Sequence, residues 1–193
     1  MKETITFYLV RHGEAESNVR GIGNALPEKR KMHLTEKGVQ QVNATASFLA
    51  TRGIDAILSS PLQRTRETAG IISEQIGVSV LIDDRLHETG LGIYNDGPIE
   101  KFFSKYPDMK MRISPDAEDG TESFIDMRGR ITNFLHDVEK VYLGKKVVIV
   151  SHGDVLDQLY GILKQQSPGQ TIDDDWYPEK GSCLEVVWER EKT

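Results

Sequence analysis

The sequence predicts an α/β fold: a three-layer α/β/α sandwich whose central sheet is mostly parallel. Two observations support this fold class. Short apolar runs alternate with longer stretches of helical periodicity, and two of those runs end alike, in Val10-Arg11-His12-Gly13 and Val150-Ser151-His152-Gly153. Strands that alternate with helices form parallel sheets with both faces covered. At 193 residues, we expect one domain over residues 1–193, long enough to bury a core.

The first half of the chain contains three predicted strands separated by two predicted helices. In the first helix, Thr35 is a good N-cap, and apolar or small residues from Val39 to Leu49 recur at helical spacing. Pro61 is expected in the first turn of the second helix. The elements expected in this half are a strand over 4–10, a loop over 19–33, a helix from Thr35 to Gly53, a strand over 55–59, a helix from Ser60-Pro61 to Gly77, and a strand over 78–82.

The second half contains the clearest strand and the least regular stretch of the chain. Glycines and prolines are frequent over about 83–119, where we expect a loop with a short helix near 99–106. Such a long irregular stretch inside a domain is usually functional, and we predict that this insertion faces the substrate. The further elements expected are a helix over 121–141, a buried strand over 145–150, a helix ending near Leu163, a loop over 165–181, and a last strand over 184–188.

Composition excludes several functional classes. The net charge of −6 argues against general binding to nucleic acid or to acidic membranes. The single Cys183 cannot form an intrachain disulfide, and its apolar surroundings predict a buried strand thiol. No run resembles a secretory signal or approaches the roughly 20 apolar residues of a membrane span, so we expect a cytoplasmic protein. The sequence leaves the oligomeric state open, with a homodimer as one outcome.

The two His-Gly sequences predict a functional site at one edge of the sheet. His12 and His152 each follow a buried strand and precede a glycine, which lets the backbone approach a ligand closely. In open α/β sheets, ligands bind at the carboxyl ends of the strands. Neighbouring strands lie only about 4.8 Å apart, so we expect the two imidazoles to lie close together.

Separate motifs, in the expected order, resemble the histidine phosphatase superfamily, the phosphoglycerate mutase-like proteins. The resemblance covers most of the chain and implies that family's fold. Its motifs are Arg11-His12-Gly13 with Asn18 six residues after the histidine, Leu34-Thr35-Glu36-Lys37-Gly38, the Ser-x-Leu-x-Arg pattern from Ser60 to Arg64, Leu86-His87-Glu88, and Ser151-His152-Gly153.

The resemblance implies roles for individual residues. His12 would attack phosphorus, and Glu88 would be the proton donor. Arg11 and Arg64 can clamp the phosphate oxygens bidentately, while Asn18 and His152 add donors. These cations would also keep the His12 imidazole neutral. Neither a metal nor another cofactor is expected, because the arginines and histidines would neutralise the phosphate charge.

Some residues near these motifs can be interpreted as surface or packing residues rather than as parts of the site. Arg66 lies two positions from Arg64 and so faces away from it on a helix, which predicts a surface cation. We expect His87 on the surface or behind the site. The basic run 29–31 either reaches over the pocket or is a solvated loop. The acidic segment 116–119 would disfavour highly anionic substrates if it lies near the entrance of the pocket. Phe102, Phe103 and Tyr106 line the entrance or pack the short helix.

The chain departs from the family pattern at three places. Ala15 stands where many members have Ser or Thr, the loop from Asn18 to Leu34 is longer than usual, and residues 93–97 replace a Glu-Trp-Glu-Gly sequence. These differences bear on substrate choice rather than on the chemistry.

The favoured function is a phosphatase that acts on a small phosphorylated metabolite through a phosphohistidine. Mutases that resemble this chain carry a larger insertion after the glutamate motif, so a mutase is the alternative. A phosphoprotein phosphatase or a phospho-ligand binding protein is less favoured, because this chain keeps both His12 and Glu88. A metal site on His12 and His152 is disfavoured, since the neighbouring arginines would repel a cation. The sequence does not name the substrate.

Overall fold

The computed structural model describes residues 4–189, so both ends of the predicted domain 1–193 lie outside the described part. Within it, the strands in chain order are β1 (Thr4–Arg11), β2 (Ala56–Ser59), β3 (Val80–Ile82), β4 (Lys146–Ser151) and β5 (Cys183–Glu189). The α-helices of the same residues are α1 (Glu16–Arg20), α2 (Glu36–Leu49), α3 (Gln63–Ile76), α4 (Ile99–Lys105), α5 (Phe124–Tyr142), α6 (Gly153–Leu163) and α7 (Pro168–Ile172).

The five strands form one sheet in the order β3-β2-β4-β1-β5. The first four are parallel, and β5 pairs antiparallel with β1 at the edge. β1 and β4 are neighbours, with Val10 opposite Val150 and Arg11 opposite Ser151. The two strands that carry the His-Gly sequences therefore end side by side. The predicted α/β fold with a mostly parallel sheet is confirmed.

Helices cover both faces of the sheet, and the alternation of side chains along each strand divides the core between them. One face packs against α2 and α3, and the other against α5 and α6. Sheet residues on the first face are Tyr8, Val10, Ile57, Val148 and Val150, and those on the second are Phe7, Leu9, Leu58, Val147 and Ile149. The sheet is thus the buried middle layer of three.

Local signals located several element ends correctly and missed others. Thr35 caps α2, its Oγ1 accepting a hydrogen bond from the Gly38 N–H at 3.0 Å. Gly77 ends α3 with a left-handed φ of 75°. The helix that was expected to reach Gly53 ends at Leu49. Pro61 precedes α3 rather than lying in its first turn, because the helix begins only at Gln63.

The expected loop over 165–181 was wrong in part, because it contains α7. Ser167 caps this helix by accepting from the Gln170 N–H, and the Gln170 side chain accepts from the Ser167 N–H. This reciprocal capping box, together with Pro168 in the first turn, is a local sequence pattern that predicts the start of a helix.

The stretch 83–119 consists of short 3₁₀ turns around α4. It encloses a small separate apolar cluster, with Leu91, Phe102 and Tyr106 buried against Ala25 of the loop that follows α1. The insertion is therefore packed, and it forms a wall beside the carboxyl ends of β1 and β4. None of the helices in the described part of the chain is both long and apolar enough to cross a membrane.

Candidate active site

The two histidines meet at the carboxyl edge of the sheet. His12 directly follows β1, and His152 follows β4 as the N-cap of α6. Their ring centroids are 5.2 Å apart, with 60° between the ring planes. His12 and His152 are 2% and 0% exposed, respectively. The parallel pairing of neighbouring strands produces this proximity.

A cleft of about 300 Å³ opens above this edge. Five of the six residues predicted for the site line it, and the sixth, His152, lies beneath it in contact with Arg64 and Glu88. The lining also includes an apolar wall and several polar groups. Among the lining residues are Arg11, His12, Asn18, Asn24, Arg64, Glu88, Thr89, Leu91, Ile99, Phe103, Arg112, Asp154, Tyr177 and Lys180.

Arg64 is the centre of the hydrogen-bond network. Its Nε donates to His12 Nε2 at 3.1 Å, and its Nη2 reaches His152 Nδ1 at 3.0 Å and Glu88 Oε2 at 3.3 Å. Asn24 fixes the guanidinium from the other side: Asn24 Oδ1 accepts from Nη1 at 2.6 Å, and its backbone oxygen accepts from Nη2 at 3.0 Å. Arg66 is exposed, on another side of α3.

His12 is a neutral imidazole whose unprotonated nitrogen faces Arg64. Its Nδ1 donates to the Gly13 carbonyl at 2.7 Å, since a carbonyl oxygen can only accept. Nε2 therefore carries the lone pair, which accepts from Arg64. Burial lowers the pKa of His12 well below its ordinary value, and the charges of Arg64 and Arg11 lower it further.

His152 is held in a single orientation by hydrogen bonds at both ring nitrogens. Nδ1 accepts from Arg64, which leaves Nε2 to donate to Ser60 Oγ at 2.8 Å. Burial lowers the pKa of His152 well below its ordinary value, and Arg64 adds to this effect. His152 is thus also neutral.

The pKa of Glu88 is shifted in the opposite direction, towards higher values. Burial is the main cause that raises the pKa of Glu88, Arg64 opposes this effect, and the nearby carboxylate of Asp154 raises the pKa further. The Thr89 N–H donates to Glu88 Oε1 at 3.0 Å. The carboxyl group retains 21% exposure beside the cleft. A neutral imidazole and a carboxyl group with a raised pKa therefore lie on either side of Arg64.

Arg11 and Asn18 complete the polar end of the cleft. Arg11 Nη1 donates to the Pro178 carbonyl at 2.8 Å, and its guanidinium lies 5.5 Å from the centre of the Tyr177 ring. Asn18 Oδ1 accepts from the Ala15 N–H at 3.0 Å. This bond orients the Asn18 side chain so that its amide group remains available as a donor.

The sequence reading missed several residues of the site because they reach it through the tertiary fold. Asn24 and Tyr177 lie in long loops that gave no motif. Arg112 belongs to the irregular insertion, and Ser60 was noted as a helix start and as part of the Ser-x-Leu-x-Arg pattern, without a role in the site. Asp154 had a usable signal, since it follows Ser151-His152-Gly153 directly and lies in the first turn of α6.

The structure also separates the alternatives for the flanking residues. Lys29 and Arg30 both interact with Asp96 and do not line the cleft, which favours a solvated loop. Asp116 pairs with Lys105, away from the cleft lining. The aromatic residues take both expected roles: Phe102 and Phe103 line the cleft, whereas Tyr106 is buried and donates its hydroxyl hydrogen to Asp119.

Two further predictions concern residues beside the site. His87 lies next to the acid, with Nδ1 donating to the Glu88 carbonyl at 2.6 Å, and it does not line the cleft. Cys183 begins β5 as a half-buried thiol, and burial raises its pKa to about 12. Both agree with a structural role.

His12, Glu88 and His152 could in principle form a metal site, because their ligand atoms lie within 4.8 Å of one another. The position between them is already taken by a cation, since the Arg64 guanidinium donates to all three. A metal ion would have to displace a buried arginine and then remain beside Arg11. These residues do not fit a metal ion.

A family model described as the histidine phosphatase superfamily (branch 1) matches residues 7–193. The chain belongs to this superfamily. It is 31% identical over 153 residues to a probable phosphoglycerate mutase, GpmB, of Enterobacter sp. (strain 638), covering 77% of this chain and 70% of the relative. It is 32% identical over 160 residues to phosphoserine phosphatase 1 of Hydrogenobacter thermophilus, covering 81% of this chain and 74% of the relative.

The structural comparison agrees with this assignment. Bacillus stearothermophilus YhfR superposes with a TM-score of 0.80 at 26% identity, covering 94% of this chain and 90% of that one. The resemblance drawn from the motifs is therefore confirmed at the level of superfamily and fold. The members named here include a phosphatase and a probable mutase, so membership supports an enzyme of this kind.

Proposed function

We propose that this protein is a metal-independent phosphomonoesterase that forms a phosphohistidine on His12. The observation that carries the proposal is the 3.1 Å contact between the unprotonated Nε2 of His12 and Arg64 Nε, with the Glu88 carboxyl on the same guanidinium. A nucleophile, an anion-binding cation and an acid thus surround one point of the cleft. Covalent phosphoryl transfer requires this combination.

In the first step, the phosphate dianion would bind between Arg11, Arg64 and the amide group of Asn18. Arg64 would turn its Nε–H from His12 to a phosphate oxygen and so release the Nε2 lone pair. Nε2 then attacks phosphorus while the P–O bond to the leaving group breaks. Glu88 donates its proton to the leaving oxygen, which departs as an alcohol.

In the second step, the same carboxyl group works as a base. Glu88, now ionised, accepts a proton from water, and the water oxygen attacks phosphorus. The P–N bond to His12 breaks, and inorganic phosphate leaves with Glu88 protonated again. The arginines stabilise the charge on the phosphoryl oxygens in both steps, as metal ions do in other phosphoryl transfer enzymes.

The lining of the cleft favours a substrate whose leaving group is small and has one apolar side. Leu91, Ile99 and Phe103 provide an apolar wall from the insertion, and Asp154 and Lys180 provide polar groups from other segments. This fits a phosphorylated metabolite rather than an inositol polyphosphate. The phosphoserine phosphatase among the relatives makes phosphoserine a reasonable first substrate to test.

A phosphoglycerate mutase is the second candidate, because relatives at 31% identity are named as probable mutases. A mutase has to return the phosphoryl group to a bound intermediate and exclude water meanwhile. The short insertion of this chain favours a phosphatase. The cytoplasmic location and the lack of nucleic-acid and membrane partners remain predictions, and the oligomeric state remains open, with a homodimer as one outcome.

The proposal is tested by measuring phosphate release from a panel of monoesters, with EDTA in every reaction. The panel contains phosphoserine, sugar phosphates and 3-phosphoglycerate, and a parallel reaction with a bisphosphoglycerate primer detects isomerisation. The wild type is compared with His12→Ala and with His136→Ala. His136 is a matched control, since its side chain is 67% exposed and lies beside the surface residue Asp137.

We expect release by the wild type and by His136→Ala, and none by His12→Ala. If isomerisation of 3-phosphoglycerate is faster than phosphate release, the protein is a mutase rather than a phosphatase. Undiminished release by His12→Ala would refute the phosphohistidine mechanism. Binding of phosphate without turnover of any ester would point to a binding protein.

A further inference from the structure

A second carboxylate lies beside the acid and has no place in the mechanism above. Asp154 lines the cleft from the first turn of α6, and its side chain is 13% exposed. Three donors hold it, two from the insertion over 83–119 and one from the loop before β5. Arg112 Nη1 donates to Oδ2 at 2.6 Å, Thr89 Oγ1 donates to Oδ2 at 3.2 Å, and the Tyr177 hydroxyl donates to Oδ1 at 2.8 Å.

These donors stabilise a negative charge on the Asp154 carboxyl group. A buried carboxylate is stable only when it is paired and hydrogen-bonded. Arg112 supplies the countercharge, and it is itself fixed near the rings of Phe102 and Phe124, at 5.6 and 5.1 Å from their centres. The N-terminus of α6 adds further stabilisation for a negative charge.

Thr89 connects this carboxylate to Glu88. Its N–H donates to Glu88 Oε1 and its Oγ1 to Asp154 Oδ2, so one buried residue orients both carboxyl groups. Thr89 is 1% exposed. Thr89 therefore links the two carboxyl groups, through its backbone N–H to Glu88 and through its hydroxyl group to Asp154.

The charges around Glu88 show why this connection matters. Arg64 and Arg11 both lower the pKa of Glu88, and His152 lies 3.4 Å from its Oε2 and is neutral. Asp154 acts against the arginines and raises the pKa of Glu88. Removal of Asp154 would take away this raising effect and leave the lowering effect of the two arginines.

We propose that Asp154 is a positioning residue for Glu88: it fixes the acid through Thr89, and its negative charge keeps the proton on Glu88 until the leaving group takes it. This inference rests on the proposed function, because it assigns a role only if Glu88 is the acid. It predicts that Asp154 matters most for esters whose leaving group needs a proton. An ester with a good leaving group, such as p-nitrophenyl phosphate, needs little protonation.

The test is the pH profile of kcat/KM for Asp154→Asn with an alkyl phosphate and with p-nitrophenyl phosphate. We expect the basic limb for the alkyl ester to move down by about one pH unit, the low end of the effect of a neighbouring charge. At pH values above the basic limb, kcat/KM of Asp154→Asn for the alkyl ester should therefore be about tenfold lower than that of the wild type. The acidic limb, set by His12, should not move, and p-nitrophenyl phosphate should lose less than about threefold.

Controls separate this inference from the proposed function. Asp137→Asn removes a surface carboxylate that pairs with Arg85 and should keep the wild-type profile. If His12→Ala is inactive while Asp154→Asn keeps the wild-type basic limb, the role of Asp154 is refuted and the proposed function stands. If the wild type releases no phosphate, the proposed function itself fails.

Two further outcomes would also overturn the inference. Equal losses with both esters at every pH, seen in KM rather than kcat, would make Asp154 a substrate contact. If Asp154→Asn does not fold, Thr89→Val removes only the connecting hydroxyl group. We expect Thr89→Val to move the basic limb in the same direction by a smaller amount, and an unmoved limb would contradict the role.

Discussion

Replacing Arg64 with lysine should cost far more activity than the same change at Arg66, two residues away. The Arg64 guanidinium reaches His12, His152 and Glu88 at once, and its fork geometry allows two parallel bonds to a phosphate. A lysine ammonium is a point charge that cannot make these contacts together. Arg66 is exposed and does not line the cleft.

The expected magnitude follows from the number of bonds lost. Arg64→Lys removes one or both of the charge-assisted hydrogen bonds to the transferring phosphoryl group, each contributing about 1.5–3 kcal/mol. The loss of about 1.5–6 kcal/mol corresponds to a loss of about 10–10⁴-fold in kcat/KM. The assay is phosphate release from the best ester of the panel. A loss below about tenfold, or an equal loss in Arg66→Lys, would refute the central place given to Arg64.

Two further predictions concern stability. Burial raises the pKa of Asp157 from 3.8 to about 7, and Asp154 adds to this effect, whereas Gln158 and Arg112 oppose it. Because the folded state holds this proton more tightly, wild-type stability should fall as the pH rises from about 4 to about 7, by at most about 4 kcal/mol. Asp157→Asn should therefore raise the free energy of unfolding in urea at pH 8 but not below pH 4, and an equal gain at both would contradict the titration. A Cβ on Gly38 would lie 2.0 Å from the Glu14 carbonyl oxygen, so Gly38→Ala should destabilise the fold by about 1–3 kcal/mol. Gly129→Ala, where a Cβ meets nothing within 4 Å, should be neutral or stabilising by up to about 1 kcal/mol; equal effects would contradict the packing argument.

The sequence predicted the fold class and several residues that the structure brings together in the cleft, in each case from a pattern that is local in the chain. The strand that ends at Arg11 and the strand that ends at Ser151 are apolar runs, and their carboxyl ends have to meet in a parallel sheet. The cap at Thr35 and the left-handed Gly77 depend on single residues. These features follow from backbone and side-chain preferences that act over a few positions.

The rest of the site depends on contacts between distant segments. Asn24 meets Arg64 across 40 residues, and Tyr177 meets Asp154 across 23. Neither segment carries a periodic pattern, so no local preference indicates where its side chains end. The raised pKa of Glu88 depends in the same way on burial and on Asp154, which become visible only in the folded chain.

The most direct test of the account is to detect the phosphoryl group on His12. Glu88→Gln keeps the shape of the acid but cannot activate water, so with p-nitrophenyl phosphate the covalent intermediate should accumulate. Rapid quenching in base preserves phosphohistidine, and mass spectrometry of the peptide that contains His12 then locates it. We predict up to one phosphoryl group per chain, on His12, and none in the double variant with His12→Ala. The mechanism would be contradicted if the quenched protein carried no phosphoryl group on His12 while inorganic phosphate was still being released. A phosphoryl group on another residue would contradict it as well.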